Sequence, residues 1–185
     1  PNAREPKTSY LNKISDEVYV FLEEIQKAGL LNELDRHKDQ TVSFKWDYLQ
    51  FAFLNGTWLE IYTWNEARNA GFFDDCQWGQ VISNVQVNNE LDVSMTYKAH
   101  LMNVECKSGV KEAFSKDVLY KLDAVSDYLG GRFVTKVLIT SILSQGNHDG
   151  FFARAKDSNI MVITGNDLPY LRDKLVNHAI SSPKR

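Results

Sequence analysis

The sequence predicts an α/β domain, and three features of the chain support this prediction. Polar and apolar residues alternate over 90–97 and again over 101–107, as in two strands that each bury one face. Two β-branched runs, at 134–140 and 160–164, are typical of buried strands. Helical spacing of apolar residues accompanies these strands, at 57–70, 111–129 and 167–179.

The first 40 residues are predicted to be a helical lead-in or connector to a domain at 41–185. Apolar residues recur at helical spacing over 9–28, and Gly29 ends that pattern. Residues 30–40 are polar and are predicted to be irregular or a short helix. We therefore expect this part of the chain to be scaffold.

The hydrophobic pattern determines how the strands at 90–97 and 101–107 pair. In an antiparallel hairpin, only the register that sets Val93 opposite Val104 brings the apolar residues to one face. The same register places Asp92 beside Glu105, and Lys107 beside Glu90. A shift by one residue would bury Glu105 without a partner, which is costly. The sequence thus predicts an acidic pair on the polar face of this hairpin.

Asp92, Glu105 and Lys107 have the chemistry of a metal-dependent phosphodiester site. Mn²⁺ and Mg²⁺ prefer carboxylate, carbonyl and water oxygens, so we predict both carboxylates as ligands, with the backbone carbonyl of Cys106 as a third. The metal would polarise a phosphate and activate a water, while Lys107 would orient that water or offset developing charge. Without metal, crowding should raise the pKa of at least one carboxyl. The alternative is a solvated strand face whose cross-strand ion pair contributes about 0.2–1 kcal/mol.

Glu60 is a third candidate carboxylate. It lies in the first turns of the predicted helix at 57–70, which opens after Asn55 and Gly56. If the apolar side of this helix packs on the sheet, Glu60 reaches the acidic pair and holds a water or a second metal ion. The alternative is a first-turn glutamate that is favoured by the helix dipole.

Basic residues after the hairpin are candidates for substrate binding. The formal net charge is −3, so the local placement of basic side chains matters more than bulk attraction to nucleic acid. We predict phosphate contacts from Lys111, from Lys121 and from Arg154. Lys121 lies in the predicted helix at 111–129 and would point back across the sheet. The alternative for each of these residues is an ordinary solvated cation.

Composition agrees with one soluble domain in the cytoplasm. A chain of 185 residues with 43% hydrophobic residues is long enough to bury a substantial core. We find no apolar run of roughly 20 residues and no signal peptide. Cys76 and Cys106 provide neither a disulfide framework nor a zinc site. The first residue is Pro1 rather than Met, which is consistent with a fragment of a longer protein.

Four motifs in order resemble a known family. They are Asn-Gly-Thr-Trp-Leu-Glu at 55–60, Asn-Glu-Leu-Asp-Val at 89–93, Glu-Cys-Lys at 105–107, and Tyr-Lys-Leu at 120–122 with Gly-Gly at 130–131. Over about residues 40–180 the chain resembles the nuclease half of the CARF-fused type III CRISPR ancillary nucleases. The order of helix, three strands, helix and strand resembles the PD-(D/E)XK restriction-endonuclease fold, a mixed central sheet flanked by helices.

This resemblance implies an Mn²⁺- or Mg²⁺-dependent endonuclease that cuts single-stranded DNA or RNA, or nicks duplex DNA. It assigns Glu60, Asp92 and Glu105 to metal binding and Lys107 to catalysis. It also implies a homodimer in the full-length protein, activated when a cyclic oligoadenylate binds the CARF domain. The chain departs from the family in having Leu91 where proline is usual, and in having no CARF-like sensor. Two alternatives remain open: a nucleic-acid-binding module that does not cut, and a dimerisation domain.

Overall fold

The chain forms two compact units, residues 1–57 and 58–185. The computed structural model describes residues 7–38, 40–83, 88–109, 113–144 and 148–181. Among these residues, no helix combines the length and the apolar character that a membrane crossing requires.

The first unit is a three-stranded antiparallel sheet with one long helix. The middle strand of this sheet pairs with both of its neighbours. The helix begins at a serine whose side chain accepts a hydrogen bond from the backbone of Val18. The elements are β1 (Lys7–Leu11), α1 (Asp16–Lys27), β2 (Glu33–Arg36), β3 (Val42–Trp46) and α2 (Tyr48–Ala52), followed by a π-helical turn at Phe53–Thr57.

The strands of this unit were not predicted. The sequence predicted irregular structure or a short helix over 30–40, and this was wrong because β2 lies there. The boundary expected after residue 40 also falls between β2 and β3, which belong to one sheet, whereas the compact units divide after Thr57. Residues of β1 and β2 are mostly exposed, so they lack the alternation that marks a half-buried strand.

The second unit is a five-stranded mixed sheet between two layers of helices, which confirms the predicted fold class. Its strand order is β4-β5-β6-β7-β8, with antiparallel pairing up to β6 and parallel pairing beyond it. The elements are α3 (Trp58–Asn69), β4 (Asp75–Ser83), β5 (Asn88–Tyr97), β6 (His100–Lys107), α4 (Lys116–Leu129), β7 (Val134–Thr140), α5 (Asp149–Asp157), β8 (Ile160–Ile163) and α6 (Leu171–Ser181).

The turn between β5 and β6 sets the register of the hairpin. Lys98 and Ala99 have φ angles of 48° and 63°, the left-handed conformation that suits a two-residue hairpin turn. The carboxylate of Asp74 accepts a hydrogen bond from the Lys98 backbone at 2.7 Å. Val93 therefore lies opposite Val104, and the predicted register is confirmed.

Each face of the sheet packs on its own pair of helices. One core includes Leu59 of α3 and Leu175 of α6, together with Val93, Val104 and Cys106 of the sheet. The other is formed by α4 and α5 against the opposite face of β7 and β8. Because side chains alternate along a strand, β6 sends Cys106 into the first core and leaves Glu105 on the side of α4.

Candidate active site

The predicted acidic pair lies where β5 and β6 stop pairing. The last paired position is Val93 with Val104. One residue further, the Asp92 carboxylate accepts a hydrogen bond from the Cys106 backbone N–H at 2.8 Å. The N–H and C=O of one strand residue point to the same side, so the Cys106 carbonyl also faces this opening. The end of the ladder thus gathers carboxylate and carbonyl oxygens.

Two lysines share the buried carboxylate of Glu105. The Lys107 ammonium lies 2.7 Å from Glu105 Oε1 and 3.7 Å from Asp92 Oδ2. The ammonium of Lys121, on α4, lies 3.0 Å from the same Glu105 oxygen. The Glu105 side chain is only 6% exposed, and such a buried charge requires partners of this kind. The structure therefore brings Asp92, Glu105, Lys107 and Lys121 together, but it pairs Lys107 with the acidic pair instead of with Glu90.

The electrostatics of the cluster favour a cation between the carboxylates. Burial raises the pKa of Asp92 to about 6, and the negative charge of Glu105 adds to this effect. The Cys106 N–H and Lys107 oppose the shift without cancelling it. The expectation that one pKa would be raised is confirmed, although burial contributes more than repulsion. Burial disfavours the charged form of Lys107, yet the adjacent carboxylates hold its pKa above the ordinary value.

Glu60 lies at the rim of this cluster. It belongs to the first turn of α3, and its Oε2 accepts a hydrogen bond from the indole N–H of Trp78 at 3.0 Å. Its charge is close enough to contribute to the raised pKa of Asp92. Glu60 is thus near the acidic pair, as predicted, with Trp78 as its hydrogen-bond partner.

The remaining predicted substrate contacts have different positions. The Arg154 guanidinium lies over the ring of Tyr120, 5.5 Å from its centroid, and donates a hydrogen bond to the Tyr120 hydroxyl. Tyr120 precedes Lys121 in α4, so this contact joins Arg154 to the helix that carries Lys121. Lys111 lies outside the described residues.

Trp78 and Gly79 on β4 were not predicted. Trp78 pairs with Val93 and Gln80 with Leu91, so Gly79 lies opposite Asp92. Gly79 has a φ of 61°, a conformation that favours glycine. A Trp-Gly pair in a strand is the sequence signal that could have identified them, because a glycine inside a strand often marks an irregular position.

The donor set fits a divalent metal, but the side chains are arranged around lysines. In the described part of the chain, no three His, Cys, Asp or Glu side chains lie close enough together to hold a metal ion as they stand. Asp92, Glu105 and the Cys106 carbonyl nevertheless offer the hard oxygen ligands that Mn²⁺ and Mg²⁺ prefer. The Lys107 ammonium, which also donates to the Cys106 carbonyl at 3.2 Å, lies among these three groups.

A separate cleft of about 770 Å³ lies at the other end of β7. It is lined by basic residues, including Arg132, Lys136 and Lys156, and by apolar residues of α5 and β8. The register places Lys107 beside Thr140 and Leu101 beside Val134, so the length of β7, roughly 20 Å, separates the cleft from the acidic pair. The carboxylate chemistry is therefore outside this cleft.

Comparisons with known proteins agree with this arrangement. A sequence model of the family described as "Card1-like, endonuclease domain" matches residues 47–182. The structure of protein VC1899 from Vibrio cholerae aligns with 95% of this chain and 47% of its own, at a TM-score of 0.71 and 21% identity. Can2 from Sulfobacillus thermosulfidooxidans, solved in complex with cyclic tetra-adenylate, aligns with 91% of this chain and 47% of its own, at a TM-score of 0.71 and 23% identity.

These two likenesses concern the fold, and the chain spans just under half the length of either protein. No curated protein sequence matches the chain.

Proposed function

The chain belongs to the family of Card1-like endonuclease domains, and we propose that it hydrolyses phosphodiester bonds of nucleic acid with Mn²⁺ or Mg²⁺. The observation that carries this proposal is the convergence of Asp92, Glu105 and Lys107 at the open end of the β5–β6 ladder. Two carboxylates and a lysine at this spacing can hold a cation against a phosphate.

Each residue of the cluster would have a role that follows from its chemistry. Asp92, Glu105 and the Cys106 carbonyl would hold the cation, which when bound polarises the phosphate and lowers the pKa of its water. Lys107 would orient the attacking water or place positive charge beside the phosphate oxygens. Lys121 would bind a neighbouring phosphate once it leaves Glu105. Glu60 would hold a water, or a second cation, at the rim.

The substrate and setting follow from the resemblance described above. We propose cutting of single-stranded DNA or RNA, or nicking of duplex DNA, in a CRISPR-associated defence protein of the cytoplasm. The resemblance also implies a homodimeric full-length protein with a separate sensor domain. A response of that domain to a cyclic oligoadenylate is in line with Can2, which shares the fold and was solved with cyclic tetra-adenylate.

A second candidate is a module of the same fold that binds nucleic acid, or dimerises, without cutting. The specific observation in its favour is that two lysines already balance the charge of Glu105. In that case Lys107 and Lys121 would be structural counter-ions.

The deciding experiment is cleavage of labelled single-stranded DNA, duplex DNA and RNA in Mn²⁺, in Mg²⁺ and in EDTA. We expect the wild type to cut only with metal, and Glu105→Gln to be inactive. Glu66→Gln is a matched control, because Glu66 lies on α3 and pairs with Arg172 of α6 instead of with a residue of the acidic pair. Cutting in EDTA, or normal cutting by Glu105→Gln with Mn²⁺, would contradict the metal mechanism. Binding without cutting in either metal would favour the second candidate.

A further inference from the structure

Trp78 is a large aromatic residue that remains 44% exposed beside the candidate active site. Its indole N–H nevertheless has a fixed partner, the Glu60 carboxylate, at 3.0 Å. A hydrogen bond from one edge restricts how the ring can rotate. The exposed ring is thus held in place rather than free to sample many rotamers.

The strand register and Glu60 together place this ring at the rim of the acidic pair. Trp78 lies opposite Val93, and the next residue along β5 toward the opening is Asp92. One residue step is about 3.3 Å along a strand. Cross-strand partners point to the same face, so Trp78 lies on the side of α3, whose first turn carries Glu60. Asp92 is the next position along β5, and its side chain leaves the sheet toward the α4 face. Glu60 joins the two, because it accepts the indole hydrogen bond and its charge contributes to the raised pKa of Asp92. The ring therefore lies at the rim of the acidic pair.

An exposed indole beside phosphate-binding groups suits an unpaired nucleobase. Every base offers a flat π-surface, and aromatic side chains of single-strand-binding proteins stack on such surfaces without regard to sequence. A base inside a duplex is already stacked on both sides and would have to be extruded first. Because the indole N–H is used by Glu60, it is not available to read the edge of a base.

We propose that Trp78 stacks on a nucleobase adjacent to the bound phosphate, so that the site prefers an unpaired strand and reads no particular sequence. This inference rests on the proposed function, because it takes nucleic acid as the ligand. It adds the form of the strand and the residue that selects it.

The test measures binding separately from cutting. Fluorescence anisotropy in Ca²⁺, which takes the same oxygen ligands, and again in EDTA would follow labelled 12-nucleotide strands of DNA and of RNA, and a duplex of the same length. We expect Trp78→Ala to weaken binding of the single strands about tenfold, which equals about 1.4 kcal/mol, and to leave the duplex unchanged. Trp78→Phe keeps a stacking ring and should lose only two- to threefold.

Two controls separate stacking from other roles of the ring. Tyr170→Ala removes an aromatic residue of the Gly165–Tyr170 turn that is 64% exposed, and it should bind like the wild type. In a set of strands, one base would be removed at a different position in each. We expect wild type to bind one of these abasic strands more weakly than the intact strand, and Trp78→Ala to bind that abasic strand as tightly as wild type does. If Trp78 only positions Glu60, Trp78→Phe and Trp78→Ala should be equally impaired, in kcat rather than in Kd.

The outcomes are distinguishable from failure of the proposed function. Binding of single strands that depends on Trp78, without cutting in metal, would keep the stacking site and overturn the nuclease. Normal metal-dependent cutting with unchanged single-strand affinity in Trp78→Ala would overturn the stacking site and keep the nuclease. The stacking site would also be overturned if Trp78→Ala lost equal affinity for single strands and for the duplex, or if the wild type showed no measurable binding of single strands. If Trp78→Ala does not fold, Trp78→Leu replaces it. Weaker single-strand binding by Trp78→Leu than by Trp78→Phe would support stacking, and equal binding by the two would overturn it.

Discussion

Replacing Asp92 by asparagine should stabilise the metal-free protein at neutral and alkaline pH while abolishing cleavage. Burial and Glu105 raise the pKa of Asp92 to about 6 from its ordinary 3.8, so keeping it ionised in the folded state is unfavourable. A shift of about 2 units corresponds to roughly 3 kcal/mol. Asparagine keeps an oxygen that can accept the 2.8 Å bond from Cys106 N–H, so the substitution removes the charge and little else.

The sign of the pH dependence follows from proton binding. Between pH 3.8 and about 6 the folded wild type binds more protons at Asp92 than the unfolded chain does. Its free energy of unfolding therefore falls as pH rises through this window and is constant above it. The asparagine variant lacks this slope. Its advantage over wild type should be less than about 1 kcal/mol at pH 4 and roughly 3 kcal/mol at pH 8.

Urea unfolding in EDTA at these two pH values measures the difference. Glu66→Gln is the control: it weakens a partly exposed pair with Arg172, whose own side chain is 45% exposed, so it should destabilise, by about 1 kcal/mol, at pH 8. The reasoning fails if Asp92→Asn is less stable than wild type at pH 8. It also fails if the gain at pH 4 is as large as the gain at pH 8.

Three further predictions concern the lysines and Gly79. Lys107→Met should lower the cleavage rate by about 10²-fold or more. Metal affinity measured by calorimetry should be kept or increased, because the Lys107 ammonium competes with the metal for Glu105. Lost metal binding, together with normal cutting in excess metal, would instead make Lys107 a structural residue. Lys121→Met should weaken single-strand binding at all sequences and reduce its salt dependence by about one ion, and an unchanged slope of log Kd against log salt would refute a phosphate contact. Gly79→Ala should cost about 1–2 kcal/mol in urea unfolding, because its φ is 61°. Gly109→Ala, at an open position without a positive φ, should change stability by less than about 0.5 kcal/mol, and equal losses would contradict the strain at Gly79.

The hairpin could be predicted from the sequence because its pattern permits one solution. Alternation along β5 and β6 leaves a single register that buries every apolar residue, so Val93 had to face Val104 and Asp92 had to lie near Glu105. Strand β7 was predicted with its exact bounds, since a β-branched run between two helical segments has few other interpretations.

The partners of the charged side chains could not be predicted in the same way. Pairing ends at Val93 and Val104, and beyond that point a register no longer determines which side chains meet. Lys107 has a long flexible stem, and it reaches Glu105 on its own strand rather than Glu90 across the hairpin. The contact between Trp78 and Glu60 joins α3 to β4 and depends on how the helix packs, which no local pattern records.

The sharing of Glu105 by two lysines has a consequence for the protein before any metal arrives. Lys107 and Lys121 together carry two positive charges, the same charge as Mn²⁺ or Mg²⁺, at the carboxylate that would bind the ion. They act as a resident counter-ion, so the domain should fold fully in chelator and not depend on metal to form. Metal binding then exchanges one cation for another: the metal ion takes the place of the lysine ammonium groups at Glu105, and these groups become available to bind phosphate. Substrate and metal would thus assist each other's binding, and the free metal concentration needed for half-maximal activity should fall as the substrate concentration rises.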